Sequence, residues 1–298
     1  MQLPNPWRHA TGSDGSVFAS IRLVRHGLVE RVRASTIEQR VHWVLRIGAA
    51  MCFIGHGAFG IITKEAWVPY FAVVGIPADW AYLLMPVVGT VDIIAGLTVL
   101  FAPRPIVLLY MSVWALWTAL LRPLSGEDVW ETLERAGNYG VPFAFLLLAG
   151  GREALRDWLA RVEAWRMPPR VLAQIGRVLQ LTTALLLVGH GALGALTSTP
   201  LLGMHYAAIG LPPETVPVAG WFEIALAAAV MLRPSVALLA FIALWKVATE
   251  LLFPIAGAPW WEFIERGGSY AAPIAFAALI AHGNFSKATS ISLERTSS

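Results

Sequence analysis

Apolar residues run in long blocks separated by short polar interruptions, each block close to the roughly 20 residues that a helix needs to cross a bilayer. The blocks lie near 41–63, 80–102, 105–122 and 129–150, and again near 171–196, 216–233, 235–253 and 260–282. Ala66 to Pro77 is apolar but too short to span, which predicts a surface or re-entrant segment leading into Gly75-Ile76-Pro77. Pro103-Arg104-Pro105 predicts a tight turn. Asp128 followed by Glu131 has the form of a capping box and sets the expected start of the fourth helix.

The second set of blocks repeats the first. Trp130 to Phe145 reads W-E-T-L-E-R-A-G-N-Y-G-V-P-F-A-F, and Trp261 to Phe276 reads W-E-F-I-E-R-G-G-S-Y-A-A-P-I-A-F; nine of these sixteen positions are identical at an offset of 131 without a gap. Gly55-His56-Gly57 recurs as Gly189-His190-Gly191, Asp92 as Glu223, Arg104-Pro105 as Arg233-Pro234 and Trp114 as Trp245. Duplication of an ancestral unit accounts for such a match. The expected fold is an all-α polytopic membrane protein, with two tandem four-helix transmembrane bundles (eight spans) related by a parallel internal repeat. Its expected parts are an N-terminal segment 1–37, repeat one over 38–150, a basic amphipathic linker 151–170, repeat two over 171–282 and a polar tail 283–298.

Composition supports a bilayer environment. Of 298 residues, 57% are hydrophobic and 14% charged, where a soluble domain carries about 25% charged. The pI near 9.2 would suit nucleic acid, but the arginines cluster beside apolar spans, as membrane topology requires. Val17 to Arg33 mixes apolar residues with arginines, as an amphipathic helix on an anionic membrane surface would. Residues 1–35 lack the apolar core of a cleavable signal. Arginine bias places both termini and the linker in the cytoplasm of a bacterial-type inner membrane. The single Cys52 excludes an intramolecular disulfide.

Ionisable residues inside apolar spans are candidates for function, because a charge in hydrocarbon is costly. His56 and Asp92 in the first unit, and His190 and Glu223 in the second, fall at similar depth, with Trp114 and Trp245 on the third spans. The fourth spans add Glu131, Glu134, Arg135 and Tyr139, matched by Glu262, Glu265, Arg266 and Tyr270. At i, i+3/4 and i+7/8 these form one helical stripe, and Pro142 frees the carbonyl of Asn138. Lys246 and Glu250 replace Ala115 and Ala119, so the second unit carries an extra ionisable pair and the first reads as the more structural copy. All of these residues are ligand-binding or proton-relay candidates. Each also has a structural reading, as interfacial anchor, neutralised pair or inter-helix hydrogen bond. His56 and His190 would serve as two haem ligands only if both faced the axis between the repeats. There is no CxxC, HExxH, Walker loop or GxSxG.

The first unit resembles the DoxX-like membrane proteins, a family of small four-helix bundles. The resemblance rests on Arg46, Phe53 and Gly55, on Tyr70-Phe71 before Gly75-Ile76-Pro77, and on Asp92-Ile93-Ile94-Ala95-Gly96-Leu97 followed by Arg104-Pro105. The second unit repeats it through Arg177, Gly189, Gly210-Leu211-Pro212 and Glu223, whereas the fused units, Gly-His-Gly and Glu-Arg-x-Gly-x-Tyr depart from it. The family includes a subunit of a thiosulfate:quinone oxidoreductase, so the resemblance implies a fold and points to a quinone. The leading expectation is a redox or quinone-associated component, in which His and Tyr bond the quinone carbonyls. The alternatives are a proton-coupled small-molecule transporter or channel, and a non-catalytic assembly or scaffold protein with a membrane-protein partner.

Overall fold

A computed structural model describes residues 35–150, 153–197 and 200–283. The expected amphipathic helix over 17–33 and nearly all of the tail lie outside the described residues. Among the described residues every regular element is helical. In the first half these are α1 (Ile37–Ile61), α2 (Val68–Val73), α3 (Ala78–Phe101), α4 (Pro105–Leu124), α5 (Trp130–Glu134) and α6 (Ala136–Leu148). A short α7 (Leu155–Leu159) follows, then α8 (Pro169–Ala195), α9 (Pro200–Ala207), α10 (Thr215–Leu232), α11 (Val236–Glu250), α12 (Leu252–Ile255), α13 (Trp260–Glu265) and α14 (Gly267–Ala281).

Six helical segments are long and apolar enough to cross a membrane: α1, α3, α4, α8, α10 and α11 continued through α12. Their outward faces carry exposed Leu83, Val87, Ile94, Val113, Val218 and Leu244, which suits hydrocarbon contact. The fourth block of each half is instead broken, at Arg135 (φ −86°, ψ 12°) and at Arg266 (φ −86°, ψ 16°). After the break, 13 residues remain in α6 and 15 in α14, only about 20 Å of helix at the usual rise. Ahead of each break a tyrosine bonds a backbone carbonyl: the Tyr139 hydroxyl donates to Thr132 O (3.3 Å) and the Tyr270 hydroxyl to Phe263 O (3.1 Å). The expected capping box does not form. Val129 is the N-cap of α5 without a side-chain bond, because Glu131 is drawn to Arg135 and Arg122.

The expected separation into two bundles is not how the core is built. α1 packs on α3 but equally against α13 and α14 of the other half, and α8 packs on α10, α5 and α6. Val41, Leu45, Phe145, Leu187 and Phe276 belong to one continuous hydrophobic cluster. The Gly-His-Gly motifs make this interlock possible. A Cβ on Gly55 would strike the backbone of Glu265, and one on Gly189 the backbone of Glu134, so the first glycine of each motif receives the broken segment of the opposite half. The second glycine seats the neighbouring helix: a Cβ on Gly57 would lie 2.5 Å from Gly89 O, and on Gly191 2.6 Å from Gly220 O. Gly137 and Gly268 meet each other where the two broken segments cross. Beyond α7 the linker continues as an extended strap, with Val162 N donating to Pro103 O (2.8 Å) and Arg104 Nη1 to Leu159 O (2.7 Å).

Replacing Gly57 with Val should destabilise the detergent-solubilised protein by about 1–3 kcal/mol, as overpacking does. Gly203→Ala in α9, where nothing lies within 4 Å of the added methyl, should be neutral or stabilising by about 0.5–1 kcal/mol. Thermal unfolding of the two variants side by side tests the seam; equal effects would refute it.

Candidate functional site

Close approach of α3 to α1 carries Asp92, one turn beyond Gly89, onto the histidine. His56 Nδ1 lies 2.8 Å from Asp92 Oδ2. In the second half, His190 Nδ1 lies 2.5 Å from Glu223 Oε2. An ionised carboxylate only accepts, so each imidazole donates from Nδ1. His56 also stacks on Trp67, with centroids 4.5 Å apart. Past the carboxylates the halves diverge. Trp245 Nε1 donates to Glu223 Oε1 (2.8 Å), whereas Trp114 Nε1 is buried without a hydrogen-bond partner among the described residues. Asp92 is one methylene shorter than Glu223, which accounts for the shortfall.

A chain of buried charges joins the two halves. Lys246 Nζ lies 3.6 Å from Glu223 Oε1 and 2.8 Å from Glu250 Oε1. Arg266 Nε meets Glu250 Oε2 at 2.9 Å, out of hydrogen-bonding alignment, and its Nη1 bonds Glu134. Glu134 is also bonded by Arg135, which reaches Glu131 (2.6 Å); Arg122 bridges Glu131 (3.4 Å) and Glu127 (2.9 Å). Glu262 takes Arg266 Nη2 and Lys64 Nζ, each at 3.4 Å. At the rim, burial raises the Tyr70 hydroxyl above its ordinary value, so it stays protonated and donates to Glu127.

Two cavities open beside this chain. One, of about 340 Å³, lies chiefly in the first half, walled by Trp67, Tyr70, Phe71, Trp114 and Trp117, with His56, Arg122, Arg135, Asn138 and Glu265 as the ionisable and amide groups of its lining. The other, of about 270 Å³, is lined by Lys64, Arg122, Glu131, Glu134, His190 and Arg266 among others. Trp67, Tyr70, Arg122 and Arg135 line both. Around His190 and Glu223, under Leu202 and Tyr206 of α9, only about 10 Å³ remains.

The sequence-based expectations thus meet several corrections. The copy read as structural holds the apolar cavity, whereas His190 of the copy with the extra pair lines the polar one. Lys246 and Glu250, each 1% exposed, neutralise one another and their neighbours. Tyr139 and Tyr270 spend their hydroxyls on backbone carbonyls, so they do not serve a ligand as donors. The stripe expected along the fourth span is interrupted at Arg135 and Arg266. His56 lines one large cavity and His190 the other, and no cavity among those described holds both imidazoles, which leaves a shared haem iron without a place. Lys64, Trp67, Trp117, Arg122 and Glu127 were not singled out from sequence, Tyr70 entered only through the family resemblance, and Trp67 carried no signal there.

No family model matches the chain, and no curated protein or solved structure is similar to it.

Removing one member of a buried ion pair costs about 3–5 kcal/mol because its partner is stranded. Lys246→Ala and Glu250→Ala should each cost that much, and the double variant, which copies Ala115 and Ala119, should cost clearly less than the sum. A double-mutant cycle on detergent unfolding measures the coupling, and strict additivity would show that the pair does not act as a unit.

Proposed function

We propose that this is a multi-pass membrane protein that binds a lipophilic quinone-class ring in the cavity of its first half and exchanges a proton with it. The observation that carries this reading is His56, held through Nδ1 by Asp92 and with no hydrogen bond at Nε2 among the described residues, on the wall of a cavity lined by five aromatic side chains. A volume of about 340 Å³ suits a small molecule, since such sites run from about 300 to 1,000 Å³. The fit is chemical as well as steric. Flat rings stack against Trp and Tyr faces, and a polar ring substituent meets His56. When bound, the ring supplies the redox chemistry. The chain's own residues orient it, exclude water and hold a proton at His56 Nε2, while Asp92 fixes the imidazole.

The resemblance of the first unit to DoxX-like proteins supports the same reading. In this view the broken fourth segments complete eight membrane passes, the two halves descend from one duplicated unit, and the arginine-rich linker and both termini face the cytoplasm of a bacterial-type inner membrane. The Glu131-to-Glu223 chain of charges then locks the halves together. A transport pathway finds less support, because the charges pair with one another rather than line a continuous route.

Purified protein should bind a short-chain benzoquinone or its quinol, read as heat on titration in detergent. His56→Ala, losing one strong hydrogen bond of about 1.5–3 kcal/mol, should weaken binding at least tenfold, while His190→Ala should leave it unchanged. Equal affinity in wild type and His56→Ala would sink the reading.

A further inference from the structure

The second and third spans meet differently in the two halves. In the second half, Phe222 of α10 packs edge-on against Phe241 and Trp245 of α11, with ring centroids 6.1 and 5.1 Å apart, so its ring bridges the two helices. At the 131-residue offset the first half has Val91 where the second has Phe222, with Tyr110 and Trp114 for the other two. Tyr110 still stacks on Trp114 (6.1 Å) as Phe241 does on Trp245 (6.3 Å), but no third ring bridges to α3. α3 lies along α1 and meets α4 only sparsely. On α4 a groove of about 400 Å³ is lined by Ile106, Leu109, Tyr110, Val113, Trp114 and Trp117, and its Tyr110 hydroxyl reaches Asp92 of α3 at 3.5 Å. The i, i+3/4, i+7/8, i+11 spacing makes this one stripe of the helix, about 16 Å long at the usual rise.

The groove adjoins the proposed site, because Trp114 and Trp117 line both it and the 340 Å³ cavity. Val87 of α3 and Trp117 of α4 belong to the cavity wall, yet they are 57% and 38% exposed on spanning helices. The cavity therefore opens toward hydrocarbon between α3 and α4. Elsewhere its rim is polar, with Tyr70 and Arg122 tied to Glu127. We infer that the ligand of this cavity carries a long aliphatic tail, which lies along α4 from Trp117 to Ile106, and that its ring enters from the bilayer between α3 and α4. A tail already in hydrocarbon gains no hydrophobic free energy in the groove. It gains dispersion contact with the stacked rings and holds the ring to which it is joined in one direction. The groove follows the axis of a spanning helix, so the tail runs alongside the lipid chains, as the tail of a membrane-borne molecule does. The competing occupant is an acyl chain of a bilayer lipid; the shared Trp114 and Trp117 favour a chain joined to whatever fills the cavity.

This inference rests on the proposed quinone-class site, and its test separates the two. The full-length protein in lipid nanodiscs is irradiated with a benzoquinone whose decyl tail ends in a diazirine, and the labelled residues are mapped by mass spectrometry. The expected label falls on Ile106, Leu109 or Val113 and is abolished by excess short-chain benzoquinone. In parallel, decyl and short-chain benzoquinones are titrated into wild type and Val91→Phe, which copies the second half. Comparing one compound across two proteins cancels its partition into lipid. Val91→Phe should weaken the decyl compound about tenfold (~1.4 kcal/mol), as overpacking against the tail does, and leave the short-chain compound unchanged. Label scattered over the lipid-facing helices and indifferent to competitor, as for a chain dissolved among lipids, or equal decyl affinity in both proteins, overturns the inference and leaves the site standing. If neither compound binds to wild-type protein, the site itself is refuted and the inference with it. The labelling of wild type decides the matter even where Val91→Phe fails to fold.

Discussion

Charge neutrality in a buried, apolar setting is the constraint on which this molecule depends. Each ionised group taken out of water must find an opposite charge at close range, or its desolvation is uncompensated. Arg266 is where that condition is met for both halves at once: it touches Glu250 and Glu262 of its own half and Glu134 of the other. Each fourth segment breaks at the arginine itself, and each guanidinium finds carboxylates there, Glu131 and Glu134 for Arg135 and Glu134, Glu250 and Glu262 for Arg266. Tyr139 and Tyr270 bond backbone carbonyls just ahead of the breaks.

Once the halves are locked by a shared set of charges, they need not remain alike. Lys246 and Glu250 stand in the second half where the first has Ala115 and Ala119, and His190 lines the polar cavity. The first half keeps Trp67, Tyr70 and Phe71 as the wall of an open apolar cavity. The same imidazole–carboxylate contact recurs in each half.

Much of the machinery was legible in the sequence because the chain carries its own comparison. The 131-residue offset marked Glu134, Arg135, Glu265 and Arg266, and equal depth in the spans brought His56 to Asp92 and His190 to Glu223 as expected. What could not be read was which copy each residue would meet. Periodicity records the face of a helix, not the partner on it, so the cross-packing of Gly55 on Glu265 was invisible. Local rules also lost to stronger attractions. Glu131 had the right spacing for a capping box, but two arginines outweigh one backbone amide.

The seam at Gly55 has a consequence for biosynthesis. α1 is made well before the segment that fills its glycine groove, which ends at Glu265. Until then α1 has only α3 and its near neighbours to pack against, and the buried carboxylates of the first half wait for Arg266. The helices can insert in order, but the seam at Gly55 closes only after the segment that carries Glu265 and Arg266 has been made.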